Sequence, residues 1–269
     1  LSRLAGRSGQ AVYELRQAMG GGKTHSMIAL GLLARSASLR TKIVPEISNG
    51  SAFGDAKVVA VNGRSVERDR YVWGEIITQL GKADEGARFW NQGPKPPTQA
   101  EWIALIGQEP TLILLDELPP YLDYAGAVPA GGKNLATLAK FALSNLFAAA
   151  LDLPRCCIVM SSLTSTYQNA SAELHDLANE AARSARPLTP VDLGTDEIYS
   201  ILRRRLFASM PSADKIGDVA TAYRSVIGQA VTAQAIPSTA RQLADEIAQT
   251  YPFHPSVKHI IGLFRNNET

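Results

Sequence analysis

Cysteine is nearly missing from this chain of 269 residues: Cys156 and Cys157 are the only two, side by side in an apolar run. Neighbours on a strand point to opposite faces, which excludes an ordinary disulfide between them and any disulfide framework holding the fold together. They read as reduced, buried core residues. No uninterrupted apolar run approaches the roughly 20 residues that a membrane-spanning helix needs. No secretory signal is visible either, so a cytoplasmic protein working away from membranes is expected. An excess of one charge is also lacking, because 27 basic and 25 acidic side chains leave a net of +2. That balance neither requires nor excludes nucleic acid, since a local basic face fits within a neutral total. An initiator Met is absent and the chain stops at "FRNNET"; it reads as an excerpt of something longer.

What is present supports a large folded core. Hydrophobic residues make up 45% and charged residues 19%, a composition that argues against disorder. Five short apolar runs read as strands: "AVYELRQA" (11–18), "AKVVAVNG" (56–63), "TLILLDE" (111–117), "RCCIVMSS" (155–162) and "RPLTPVDL" (186–193). The third and fourth are almost continuously aliphatic, as strands covered on both faces are. Helical patterns at about 24–36, 70–81, 99–107 and 134–151 separate most of them. Strands alternating with helices predict a three-layer α/β domain with a parallel five-stranded sheet. From about residue 195 the pattern becomes purely helical, opening on Thr195, Asp196 and Glu197 at a helix start. The expected organisation is therefore an α/β domain over 1–194 and a helical lid over 195–269, the lid truncated.

"QAMGGGKTHS" (17–26) lies between the first strand and the first helix. A phosphate loop needs that order, because glycines let backbone N–H groups converge on phosphate and the next helix presents its positive end. Gly20, Gly21 and Gly22 would line such a loop. Lys23 would reach the β- and γ-phosphates, and the Thr24 hydroxyl would coordinate magnesium. Gln17 departs from the pattern G-x-x-x-x-G-K-[ST], which has glycine there. His25 follows directly, either approaching the nucleotide or packing on its helix. A similar fragment, "AGGKN" (130–134), follows no strand and has Asn134 where a hydroxyl is required; it is read as a turn.

"TLILLDE" ends a buried strand in two carboxylates. With that strand alongside the loop strand, Asp116 would hold the magnesium shell near Thr24, and Glu117 would position or deprotonate an attacking water. The fourth strand ends in "MSSLTST", so a hydroxyl of Ser161, Ser162 or Thr164 could sense the γ-phosphate or fix the water. Arg183 and Arg186, just before the fifth strand, offer an arginine that could act in a neighbouring subunit's site. Arg203, Arg204 and Arg205 cannot share one helix face and read as a solvated surface. Trp73, Trp90 and Trp102 read as packing residues. The four histidines show no metal-ligand grouping with the cysteines, and no zinc site is expected.

With loop, acidic strand, hydroxyl strand end, arginines and helical lid in this order, the chain resembles the AAA+ P-loop ATPases along nearly all of its length. More narrowly, "QAMGGGKTHSMIAL", "WGEIITQLG", "LILLDELPPYLDYA" and "YPFHPSV" resemble an ATPase family of anti-phage operons related to the Pgl and BREX-type systems. The resemblance implies a motor or switch that binds and hydrolyses ATP with Mg²⁺ inside a multi-gene defence complex. It implies other subunits as partners, a DNA methyltransferase among the candidates, and leaves homo-oligomerisation and direct contact with DNA open. It tolerates Gln17, and it leaves the lid's sensor arginine to Arg265 or to a residue beyond Thr269. Two other readings stand beside it: a slowly hydrolysing switch or scaffold that assembles partner proteins, and a small-molecule kinase, which the Asp-Glu strand end and the lid disfavour.

Overall fold

A computed structural model describes residues 1–16, 22–45, 53–161, 176, 177, 179, 183, 185–189, 197–237, 240–257 and 260. Two compact units divide the chain, Leu1–Pro190 and Val191–Thr269. The strands of the first unit are β1 (Val12–Leu15), β2 (Lys57–Asn62), β3 (Thr111–Asp116), the two-residue pair β4 (Pro129–Ala130) and β5 (Lys133–Asn134), β6 (Cys156–Ser161) and β7 (Ala185–Leu188). Five of them form one sheet in the order β2-β3-β6-β1-β7, every pairing parallel. The chain is thus an α/β protein with all five strand ends pointing the same way. One expectation is corrected: β3 does not lie alongside β1. β6 stands between them, pairing Ile158 with both Val12 and Ile113.

The helices of this unit are α1 (Lys23–Arg35), α2 (Ala37–Ile43), α3 (Tyr71–Gln79), the single turn α4 (Ala83–Gly86), α5 (Gln99–Ile106), α6 (Leu118–Gly126) and α7 (Leu135–Asp152). Period-two alternation in the strands sorts them onto two faces. Ile113, Leu115, Ile158 and Met160 pack with residues of α3, α5, α6 and α7, including Trp73, Trp102, Leu143 and Phe147. Leu112, Leu114, Val159 and Leu15 pack on the other face with Met27 and Ala34 of α1. Gly31 lets α1 sit close, for a Cβ there would lie 3.2 Å from Leu114 Cδ1. Cys156 and Cys157 fall on opposite faces, both buried and unbridged. Burial pushes their thiols up to about 12 and about 11.

By length and composition α7 could cross a membrane, yet nine of its residues, Leu143, Leu146 and Phe147 among them, are buried. It is a core helix. Its start explains "AGGKN": Gly131 and Gly132, at φ 57 and 81, turn the short β4–β5 pair, and Asn134 Oδ1 accepts from Thr137 N as the helix cap. Trp73 and Trp102 are fully buried, their ring N–H groups donating to the carbonyls of Phe89 and Ala142. On the outer margin of β2, the Gln79 side chain of α3 accepts from Ala60 N at 2.8 Å and donates to Ala60 O at 2.9 Å.

Two buried arginines finish two helices. Helix C-termini leave backbone carbonyls without partners, and a guanidinium carries five donors. Arg3 donates to Ala150, Leu151 and Leu153 at the end of α7, and to Cys156, Ser8 and Gly9, at 2.8–3.2 Å. Arg40 donates to Leu33 and Ala34 at the end of α1 and to Phe53 and Gly54, at 2.8–2.9 Å, while stacking on the Phe53 ring.

The second unit contains α8 (Glu197–Leu206), α9 (Ala213–Thr232) and α10 (Ala240–Thr250). Tyr199, fully buried, donates its hydroxyl to Pro255 O and stacks on Phe253. Arg203 donates to Gln249 O, and Arg204 and Arg205 are exposed.

Removing the Arg3 guanidinium strands several buried carbonyls, so Arg3→Ala should cost about 3 kcal/mol in chemical denaturation. Arg3→Lys should recover only part of it, having one point charge and three donors. Both thiols should resist a thiol reagent at pH 8 in the native protein and react at once in denaturant; rapid native labelling would contradict their burial.

Candidate functional site

A parallel sheet gathers the loops that follow its strands along one end, and ligands of such sheets bind there. β1 and β6 are neighbours whose connections leave in opposite lateral directions, β1 towards β2 and β6 towards β7. At that end α1 starts on Gly22, in the left-handed region at φ 83. A Cβ at this position would meet no heavy atom within 4 Å, so backbone conformation, not crowding, is what favours glycine. A glycine cap has no side chain to bond the first-turn N–H groups, and a helix start is the positive end that an anion meets. Lys23 is half-buried at the first helical position, and Thr24 and His25 are exposed in the first turn. His25 is therefore not a packing residue of its helix. Gly20 and Gly21 lie outside the described residues, as do Ser162, Thr164 and Arg265.

The Thr24 hydroxyl donates to Asp116 Oδ2 at 2.6 Å, joining residues 92 apart in the chain. Asp116 is the last residue of β3 and is 8% exposed. Its second oxygen, Oδ1, accepts from Glu117 N at 3.0 Å. The same N–H reaches Ser161 Oγ at 3.2 Å, from the end of the intervening β6. Ser161 is buried, so of the three candidate hydroxyls the described one bears on Glu117.

Glu117 has left the strand. It caps α6 with φ 52 and ψ 39, a left-handed conformation that non-glycine residues adopt only at a cost of about 1 kcal/mol or more. Pro119 follows in the first turn of α6, where a missing N–H is harmless. The Glu117 carboxylate is 40% exposed, and Arg64 Nε lies 3.3 Å from its Oε2. Arg64 belongs to the 3₁₀ turn Gly63–Ser65 at the end of β2, whose last residue, Asn62, is in register with Asp116. Asn62 Oδ1 accepts from Arg64 N and holds the turn.

Arg64 and Gly63 were missed by the sequence reading, which stopped at the glycine ending "AKVVAVNG". The available signal was a polar Asn-Gly-Arg sequence closing a half-buried edge strand. A second missed group is Glu14, buried in β1 with Arg16 Nε at 2.7 Å.

Arg183 and Arg186 are not brought to this cluster. Arg183 precedes β7, at the opposite end of the strand from the loops, and is exposed. Arg186 pairs in register with Tyr13 on the outermost strand. β1 and β6 separate β7 from β3, about 14 Å at ordinary strand spacing.

Among the described residues no group of three or more His, Cys, Asp or Glu could cage a metal ion. The oxygen ligands that Asp116 and Thr24 offer are one carboxylate and one hydroxyl. That set suits a hard divalent cation that keeps waters and shares phosphate oxygens, as Mg²⁺ does, and does not suit zinc. A cleft of about 300 Å³ opens beside Thr24 and Asp116, but Met27, Ile28, Leu32, Val58 and Leu114 make its walls apolar. Arg35 and Asn62 are its other polar lining residues. Comparisons with protein-family models, with curated proteins and with solved structures return no match to the chain.

The bridging role of Asp116 has a direct test in stability. Asp116→Asn keeps both bonds, since its amide oxygen can accept from Glu117 N and its NH₂ can donate to a turned Thr24 hydroxyl. Its Tm should stay within about 3 °C of the parent, while Asp116→Leu removes both bonds, leaves Glu117 N only the longer one to Ser161 Oγ, and should cost about 2 kcal/mol. Equal melting of the two variants would rule the bridge out.

Proposed function

We propose that this chain is an ATP-binding and ATP-hydrolysing module of the AAA+ P-loop class, serving as the motor or switch of a larger protein in an anti-phage defence complex. The observation that carries the enzymatic part is the 2.6 Å bond from Thr24 to Asp116. It unites a glycine-lysine-threonine helix start with an acidic strand end across an intervening strand. The defence role and the partners, other subunits with a DNA methyltransferase among the candidates, rest on the resemblance of the "GGGKTH" and "YPFHP" phrases alone.

In this reading the β- and γ-phosphates lie against the first turn of α1, where the N–H groups and Lys23 meet their charge. Thr24 and Asp116 would hold Mg²⁺, which supplies charge neutralisation on the phosphates when bound. Glu117 stands next to Asp116 with a solvent-accessible carboxylate, so it can orient a water and accept its proton. Ser161, bonded to the Glu117 backbone, keeps that residue in line with the strand ends. Arg183 and Arg186, remote from their own chain's cluster and exposed, are available to the site of a neighbouring subunit.

Lys23→Ala should lower ATP affinity at least tenfold by calorimetry, a loss of about 1.4 kcal/mol or more; unchanged affinity would sink the phosphate-loop assignment. Glu117→Gln should bind ATP like the parent and hydrolyse it at least about 100-fold more slowly. Parental turnover in that variant would remove Glu117 from the chemistry. Chelation by EDTA should abolish turnover, and Mg²⁺ should restore it.

A further inference from the structure

Glu117 is held from a direction that neither phosphate-loop residues nor Asp116 account for. Gly63 is buried, and a Cβ on it would lie 2.1 Å from Glu117 O, 2.8 Å from its carbonyl carbon and 2.9 Å from Leu118 Cα. These are backbone atoms, so no side-chain rotation could relieve the clash, and any residue other than glycine must push the β3–α6 junction away. The next residue, Arg64, places its guanidinium 3.3 Å from the Glu117 carboxylate. Both side chains are substantially exposed, 63% and 40%, so the ion pair contributes little to stability and serves mainly to orient. Glu117 is thereby fixed at three points: its N–H by Asp116 and Ser161, its C=O by packing on Gly63, its carboxylate by Arg64. A residue with φ 52 needs such over-determination to persist.

We propose that the Gly63–Arg64 turn is the positioning element of Glu117: Gly63 admits the Glu117 carbonyl and so sets the backbone, and Arg64 aims the carboxylate at the strand-end cluster. Neither is among the residues assigned to nucleotide. The inference rests on the ATPase reading for its effect on rate, but the positioning itself is independent of nucleotide.

Gly63→Ala, Arg64→Gln and Arg64→Lys in the full chain test it. ATP affinity should stay within about threefold of the parent in all three. Gly63→Ala should slow single-turnover hydrolysis by up to about 100-fold, the consequence of a misplacement of about 1 Å. Arg64→Gln should slow it about two- to fivefold, as the loss of an exposed ion pair would, with Arg64→Lys recovering part. Without nucleotide, the Glu117 backbone amide resonance should move in Gly63→Ala, and its side-chain carboxyl resonance in Arg64→Gln. Parental hydrolysis in Gly63→Ala, or affinity lost in step with rate, overturns the proposal. If Gly63→Ala does not fold, Arg64→Gln decides: an unchanged or faster rate with unmoved carboxyl resonance overturns it. Should the parent bind no ATP, the ATPase reading fails by itself. The resonances still decide the positioning, moved signals supporting it and unmoved ones ending it.

Discussion

The two oxygens of Asp116 hold the strand-end cluster together. One takes the hydroxyl of Thr24 from the first turn of α1, and the other takes the N–H of Glu117 as the chain leaves β3. The carboxylate is almost wholly buried, where a charge without partners would be costly, and two charge-assisted hydrogen bonds answer that cost. Everything else at this end of the sheet depends on the arrangement. α1 must start level with the end of β3, which requires the close seating at Gly31. Its far end must be tied down as well, which Arg40 does through four backbone carbonyls.

β6 stands between the two partners of that contact, and its presence matters chemically. A strand between β1 and β3 ends in Ser161, whose hydroxyl would otherwise have no reason to be buried among aliphatic neighbours. There it accepts from the backbone of Glu117, so two strands and the start of α1 contribute to one small polar cluster. The polar groups are few and each is used, which keeps the cluster rigid while the carboxylate of Glu117 stays open to solvent.

Much of the α/β layering was legible because it follows from periodicity. β3 and β6, buried along their whole length, read as continuous aliphatic runs, and the helix starts at Thr98 and Asn134 carry side-chain caps that a sequence displays. Thr24, Asp116 and Glu117 were legible as motif residues for the same reason, each closing or opening a recognisable run. Strand order was not, since nothing in "RCCIVMSS" says that it inserts between two strands that precede it. α6 was hidden by Pro119 and Pro120, which look like a loop but are compatible with a first helical turn. Arg3 and Arg40 carry no sign of their burial in the sequence, because it depends on carbonyls brought together only by the fold. Gly63 and Arg64 were illegible as partners of Glu117 for that reason too: their contact spans two strands and appears only with β2 and β3 in register.

The Gln79 amide on the outer margin of β2 has a consequence for assembly. By presenting one donor and one acceptor to Ala60, it imitates the strand that could otherwise join there. At the opposite margin, Pro187 of β7 has no N–H to lend, and Arg186 beside it is charged and exposed. Among the described residues, both margins of the sheet thus carry side-chain chemistry that discourages a further strand at these positions.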